Sequence, residues 1–153
     1  MTRKHTRRRH WPLINPVEMA IAGACITSTD HLDKLRLIEL SAIDAFTQNA
    51  ATKDDWRAMA DMLNIAETLA RSGVGPEVLA ACELATQALQ AAHASQAATG
   101  KLHMTGDQVQ ALRELHEYTD LQRTSIDRSC YERAINATAN IIRGRSKDVE
   151  VLL

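Results

Sequence analysis

Apolar residues return every three or four positions along most of this chain, the period of helices that bury one side. Asn15 followed by Pro16 supplies an N-cap and a first-turn proline, and Val17, Ala20, Ile21, Ala24 and Cys25 predict a short helix to about Ile26. Thr27 and Asp30 form a capping-box-like pair, with Asp33 adding negative charge, before a second helix to about Asn49. Leu32, Leu35, Ile38, Ala42, Ala45 and Phe46 make its face, and Leu37, Leu40 and Ile43 widen it. So broad a face predicts a central helix with neighbours on two sides.

Thr52 and Asp55 repeat the capping pattern before Trp56, Met59, Ala60, Leu63, Ala66 and Ala70. Gly73-Val74-Gly75-Pro76 then gives a left-handed cap, a tight connection and a new start, which predicts an antiparallel pair. The fourth helix carries Val78, Leu79, Cys82, Ala85, Leu89 and Ala92, and its alanine-rich end runs towards Gly100. Thr105, Asp107 and Gln108 open a last helical region that Gly144 closes. Unbroken, it would reach roughly 57 Å at 1.5 Å per residue, too long for a helix of a small globule. Residues 119–127 are poor in apolar side chains, and Thr124-Ser125 with Asp127 can cap a fresh helix, so a break is expected there.

Composition supports this reading. Among 153 residues there are 24 alanines but only five aromatic residues, Trp11, Phe46, Trp56, Tyr118 and Tyr131. That balance suits close-packed helices better than sheets. The length allows one core. The expectation is an all-α protein, a compact bundle of five or six helices with an extended basic N-terminal arm. Residues 1–14 form the arm, 15–145 a single helical domain and 146–153 a C-terminal tail.

Charge is divided unevenly. Arg3, Lys4, Arg7, Arg8 and Arg9 give residues 1–11 a charge of +5, and the remainder carries −6. A basic terminus attracts phosphate or an acidic protein surface over roughly 8 Å at physiological ionic strength. Arg7 to Arg9 before the apolar stretch and Cys25 invite comparison with a twin-arginine or lipoprotein signal. Asn15, Pro16 and Glu18 interrupt that stretch, and Ala22-Gly23-Ala24 lacks the aliphatic residue of a lipidation site. No segment approaches the 18 or so apolar residues of a membrane span. A cytoplasmic location is expected. Cys25, Cys82 and Cys130 include no Cys-x-x-Cys pair and read as buried thiols.

Candidate chemistry is sparse. His5 and His10 belong to the arm, and His31, His93, His103 and His116 are not spaced as metal ligands. His116, Glu117 and Asp120 are the nearest approach to a metal-dependent hydrolase, but no second carboxylate-histidine motif joins them. The pairs Asp54-Asp55 and Asp30-Asp33 lie in first turns, where the helix dipole accounts for them. There is no phosphate loop after a strand and no nucleophile elbow. No catalytic residue, metal site or cofactor is assigned.

Arg7 to Arg9 near the start, Leu40 to Phe46, Asp55-Trp56 through Asn64-Ile65-Ala66, Gly75-Pro76-Glu77-Val78 and Thr105-Gly106-Asp107 give residues 32–142 a cast that resembles small helical accessory proteins of proteobacterial phages and mobile elements. That group has no agreed activity or catalytic residues to carry over. The resemblance implies action by occupying host proteins, including defence complexes such as CRISPR effectors. The expected function is therefore non-catalytic binding of a host or phage protein or nucleoprotein, with Arg3, Lys4, Arg7, Arg8, Arg9 and Trp11 as partner-binding residues. A homo-oligomer formed through the last helix is an accompanying expectation. The alternative is a small nucleic-acid-binding regulator that uses the arm to grip phosphate and stack a base.

Overall fold

In the computed structural model, which describes residues 10–12 and 29–145, five helices follow one another. They are α1 (Thr29–Thr47), α2 (Lys53–Arg71), α3 (Val78–Thr99), α4 (Gly106–Thr124) and α5 (Arg128–Gly144). No strand occurs among the described residues, and none of their helices is long and apolar enough to cross a membrane. The predicted helix at 15–26, the arm residues Arg3, Lys4, Arg7, Arg8 and Arg9, Cys25 and the tail from 146 lie outside the described residues.

Helix starts follow from side chains that replace missing backbone partners. Thr52 accepts from the Asp55 N–H while Asp55 accepts from the Thr52 N–H, and Thr105 and Gln108 do the same for α4. The region after Thr105 does break. Asp127 accepts from the Cys130 N–H at 2.7 Å and so caps the start of α5. By contrast α3 has no side-chain cap, and it begins at Val78 rather than at Pro76.

The ends of α1 and α2 use left-handed residues. Gly73 at φ 99° lets its own N–H reach Ala70 O and the Val74 N–H reach Leu69 O. Asn49 at φ 55° closes α1 with the same bond pattern, onto Phe46 O and Ala45 O.

The central helix is α2, not α1 as the breadth of the α1 face predicts. It packs against all four other helices, and 13 of its 19 residues are buried. Ala58, Ala60, Ala66 and Ala70 are at most 3% exposed, and side chains so small let neighbours close in from several directions. As expected α1 has two neighbours, α2 and α4, but its outer face is left open. Leu35, Ala42, Ile43 and Phe46 are buried, whereas Leu37 and Leu40 remain 67% and 50% exposed.

The main core joins Phe46, Trp56, Met59, Leu63, Leu89, Leu112 and Leu115. A smaller one holds Leu35, Ile65 and Leu69 against Tyr131, Ala134 and Ile135 of α5. Cys82 is buried in the main core, and Cys130 is half-buried.

Trp11 belongs to the main core as well, where the sequence reading expects a partner-binding residue of an extended arm. Its ring is fully buried, edge-on to Trp56 at 4.7 Å between centroids. Asn64 holds its backbone from both sides, donating to Trp11 O at 2.6 Å and accepting from its N–H at 3.3 Å. A ring enclosed in this way cannot stack on a base or reach a partner.

Candidate functional site

A buried assembly of charge lies where α1 and α4 meet, with Tyr131 of α5 beside it. The face of α1 that covers the core would be apolar but for Glu39, which is 1% exposed. Burying a lone carboxylate is costly, so partners are required. Arg123 of α4 provides a two-pronged bond, its Nη1 and Nη2 each 2.7 Å from a Glu39 oxygen. His116, two turns earlier on α4, adds a third contact, Nδ1 to Oε2 at 2.9 Å.

Asp120 extends the cluster. It accepts from Arg36 Nε at 2.8 Å and Nη2 at 3.0 Å, and Arg123 Nη2 lies 3.4 Å from it. Arg36 also reaches Asp33 at 3.0 Å. These contacts run antiparallel along the two helices, continuing to Arg113 Nη2 on the Thr47 hydroxyl at 3.0 Å.

The environment fixes protonation. Burial pushes the Glu39 carboxyl up, but the His116 bond and the Arg123 charge outweigh it and hold the group below its ordinary range. Asp120 is held low in the same way, against burial, by the Arg36 bond and by Arg123. Burial works to lower the Arg123 guanidinium, but the Glu39 charge overcomes it and the group is raised. Burial pushes the Tyr131 hydroxyl up to about 12, against the nearby Arg123 charge. Since an ionised carboxylate only accepts, His116 Nδ1 carries a proton here.

His116 and Glu117 line one cleft, but His116, Glu117 and Asp120 do not converge on a common point. His116 turns to Glu39 and Asp120 to the two arginines, while Glu117 stands exposed on the rim of a cleft of about 330 Å³ that Leu40, Ile43 and Arg113 also line. Among the described residues, no three His, Cys, Asp or Glu side chains are grouped to hold a metal ion. Asp55 is used as a cap, and Asp54 pairs with Arg57 at 3.3 Å. What the cluster can do chemically is lock helices in register, since its charges are directed at one another.

Sequence reasoning missed Glu39 and Arg123. The available signal was one acid on the Leu35–Ala42–Phe46 stripe of α1 and one base a turn beyond Thr119 on α4, opposite charges in two buried registers.

The outer surface differs in kind. Five large apolar side chains stand exposed among the described residues, and four of them, Leu37, Leu40, Tyr118 and Leu121, are on α1 and α4. Because the helices run antiparallel, Leu37 stands level with Leu121 and Leu40 with Glu117. The chain matches no protein-family model, no curated protein and no solved structure.

Proposed function

We propose that the protein acts without catalysis, by binding a macromolecular partner in the cytoplasm, in the manner of a phage or mobile-element inhibitor that occupies a host protein or nucleoprotein. The observation that supports this reading is the placement of Leu37, Leu40, Tyr118 and Leu121 on two adjoining helices. Scattered exposed leucines are ordinary, but neighbouring ones rimmed by polar groups are typical of interaction surfaces. The buried charges support it too, because they are directed inward at one another and serve to hold α1 and α4 in place. Arg3, Lys4, Arg7, Arg8 and Arg9 add electrostatic capture, which speeds encounter more than it raises affinity.

The test is affinity capture from a lysate of the host cells, with the intact chain, a Leu37→Ser, Leu40→Ser variant and a variant with the five arm cations changed to alanine. A partner held by the intact chain and lost by the leucine variant supports the reading. If the leucine variant captures the same proteins as the intact chain, the surface has no such role.

A further inference from the structure

Each exposed apolar side chain of α1 and α4 has an acid four residues away. Asp33 precedes Leu37, Asp44 follows Leu40, Glu114 precedes Tyr118 and Glu117 precedes Leu121, and all four acids are exposed. A spacing of four keeps the two members of a pair on one side of their helix, so the apolar residues are flanked by negative charge on both helices. Described exposed positions of α1 and α4 hold five acids against two bases, Lys34 and Arg113. Arg113 already donates to the Thr47 hydroxyl at 3.0 Å. Arg36, Glu39, Asp120 and Arg123 are spent on one another and leave this surplus uncancelled. Between the helices the surface opens into the cleft of about 330 Å³, lined by Leu40 and Ile43 together with Asp44, Arg113, His116 and Glu117. Tyr118 extends the apolar surface beyond Leu121 to the α2–α3 connection.

Charge decides what covers such a face. A second copy of the chain would bring the same negative surplus against it, and a nucleic acid would bring phosphates, so both are repelled. The chain's own residues 1–9 carry the right sign but have a single apolar side chain, Met1, with which to cover four. We propose that the groove between α1 and α4 receives an amphipathic helix of a partner protein, apolar along one side and edged with lysine or arginine. Leu37 stands level with Leu121, and Leu40, three positions on and so about 4.5 Å further along at 1.5 Å per residue, stands level with Glu117. That is the step between successive anchors of a third helix laid along the pair. One anchor enters the cleft against Leu40 and Ile43 while basic residues a turn to either side meet Asp33, Asp44, Glu114 and Glu117. This occupant presupposes the binding function above and gives the partner its chemistry. The leucines supply buried area, and the acids supply selectivity and a fast encounter.

The experiment is a titration of the full chain, labelled with ¹⁵N, with a helical peptide of leucine and lysine whose leucines are spaced three and four apart. Two controls accompany it, the same peptide with glutamate for lysine and the lysine peptide with its leucines shuffled off one side. Amide shifts are expected at Leu37, Leu40, Glu117 and Leu121 with the first peptide, and far weaker binding with the other two. The double change Asp44→Lys, Glu117→Lys alters exposed side chains and preserves the fold, and it is expected to weaken the first peptide about tenfold. Shifts that are absent, that fall on another face, that are equal for the first peptide and either control, or that are indifferent to the charge reversal would overturn the assignment. Shifts of the same amides on dilution without peptide would do so too, because a second copy would then be the occupant. So would tighter peptide binding on changing Arg7, Arg8 and Arg9 to alanine, which would give the face to the chain's own arm. A failed titration alongside a partner captured through Leu37 and Leu40 sinks the cationic helix alone. If capture fails while the titration succeeds, the face keeps its chemistry and the wider binding function falls.

Discussion

Arg123 and Glu39 face each other across the α1–α4 interface through two hydrogen bonds of 2.7 Å, with their side chains 0% and 2% exposed. Removing one partner of such a pair strands a charge in the interior. Glu39→Leu is expected to cost about 3–5 kcal/mol, and the double change Glu39→Leu, Arg123→Met much less than two such losses. Urea unfolding of the two single variants and the double variant measures this. Additive losses would mean that the pair is not a unit.

Stability should fall on the acid side. Glu39 and Asp120 are held below their ordinary values of 4.5 and 3.8, so the native state favours their charged forms. For a depressed carboxylate the stabilisation is present above the ordinary value and lost as pH falls through the folded one. Unfolding free energy should accordingly decline below about pH 4.5, and Glu39→Gln should flatten the decline. At the alkaline end, Tyr131 is raised from 10.0 to about 12, so its contribution is intact below pH 10 and lost between these values. Tyr131→Phe should blunt that loss in a pH series of chemical unfolding.

Trp11 and Trp56 are both fully buried. Fluorescence of the intact protein should be blue-shifted and poorly quenched by acrylamide, and a Trp56→Phe variant, which leaves Trp11 as the one emitter, should behave the same way. Trp11→Ala should cost about 3–5 kcal/mol in thermal or urea unfolding. Strong quenching of Trp11 would return it to the arm.

A methyl group added at Gly73 would meet nothing within 4 Å, yet φ there is 99°, so backbone strain alone penalises a side chain. Gly73→Ala should lower stability by about 1–2 kcal/mol, measurable as a shift in the urea midpoint. An unchanged midpoint would show that the turn relaxes.

The local features were the legible ones. Thr52 with Asp55, Thr105 with Gln108, Gly73 and the interruption near Asp127 are decided by neighbours within five residues, so the sequence carries them openly. Which helix lies in the middle depends on what packs from outside. The α1 stripe alone could not reveal that Leu37 and Leu40 stay uncovered while small residues let other helices surround α2. The polar cluster was hidden for a related reason. His116 and Asp120 are close in sequence, but their partners Glu39 and Arg36 stand 77 and 84 positions away, and no short spacing encodes that. Trp11 misled because two prolines marked its surroundings as extended, and extended chain can still be buried.

The interruption between Thr124 and Arg128 also governs topology. It redirects the chain so that Tyr131 and Ile135 pack onto Leu69 of the same molecule. Straightening it, by alanines at Ser125, Ile126 and Asp127, would project the final segment outward as a rod whose sticky side could be satisfied only by another molecule's Leu69. Three residues thus keep the final helix on its own molecule rather than on a second one.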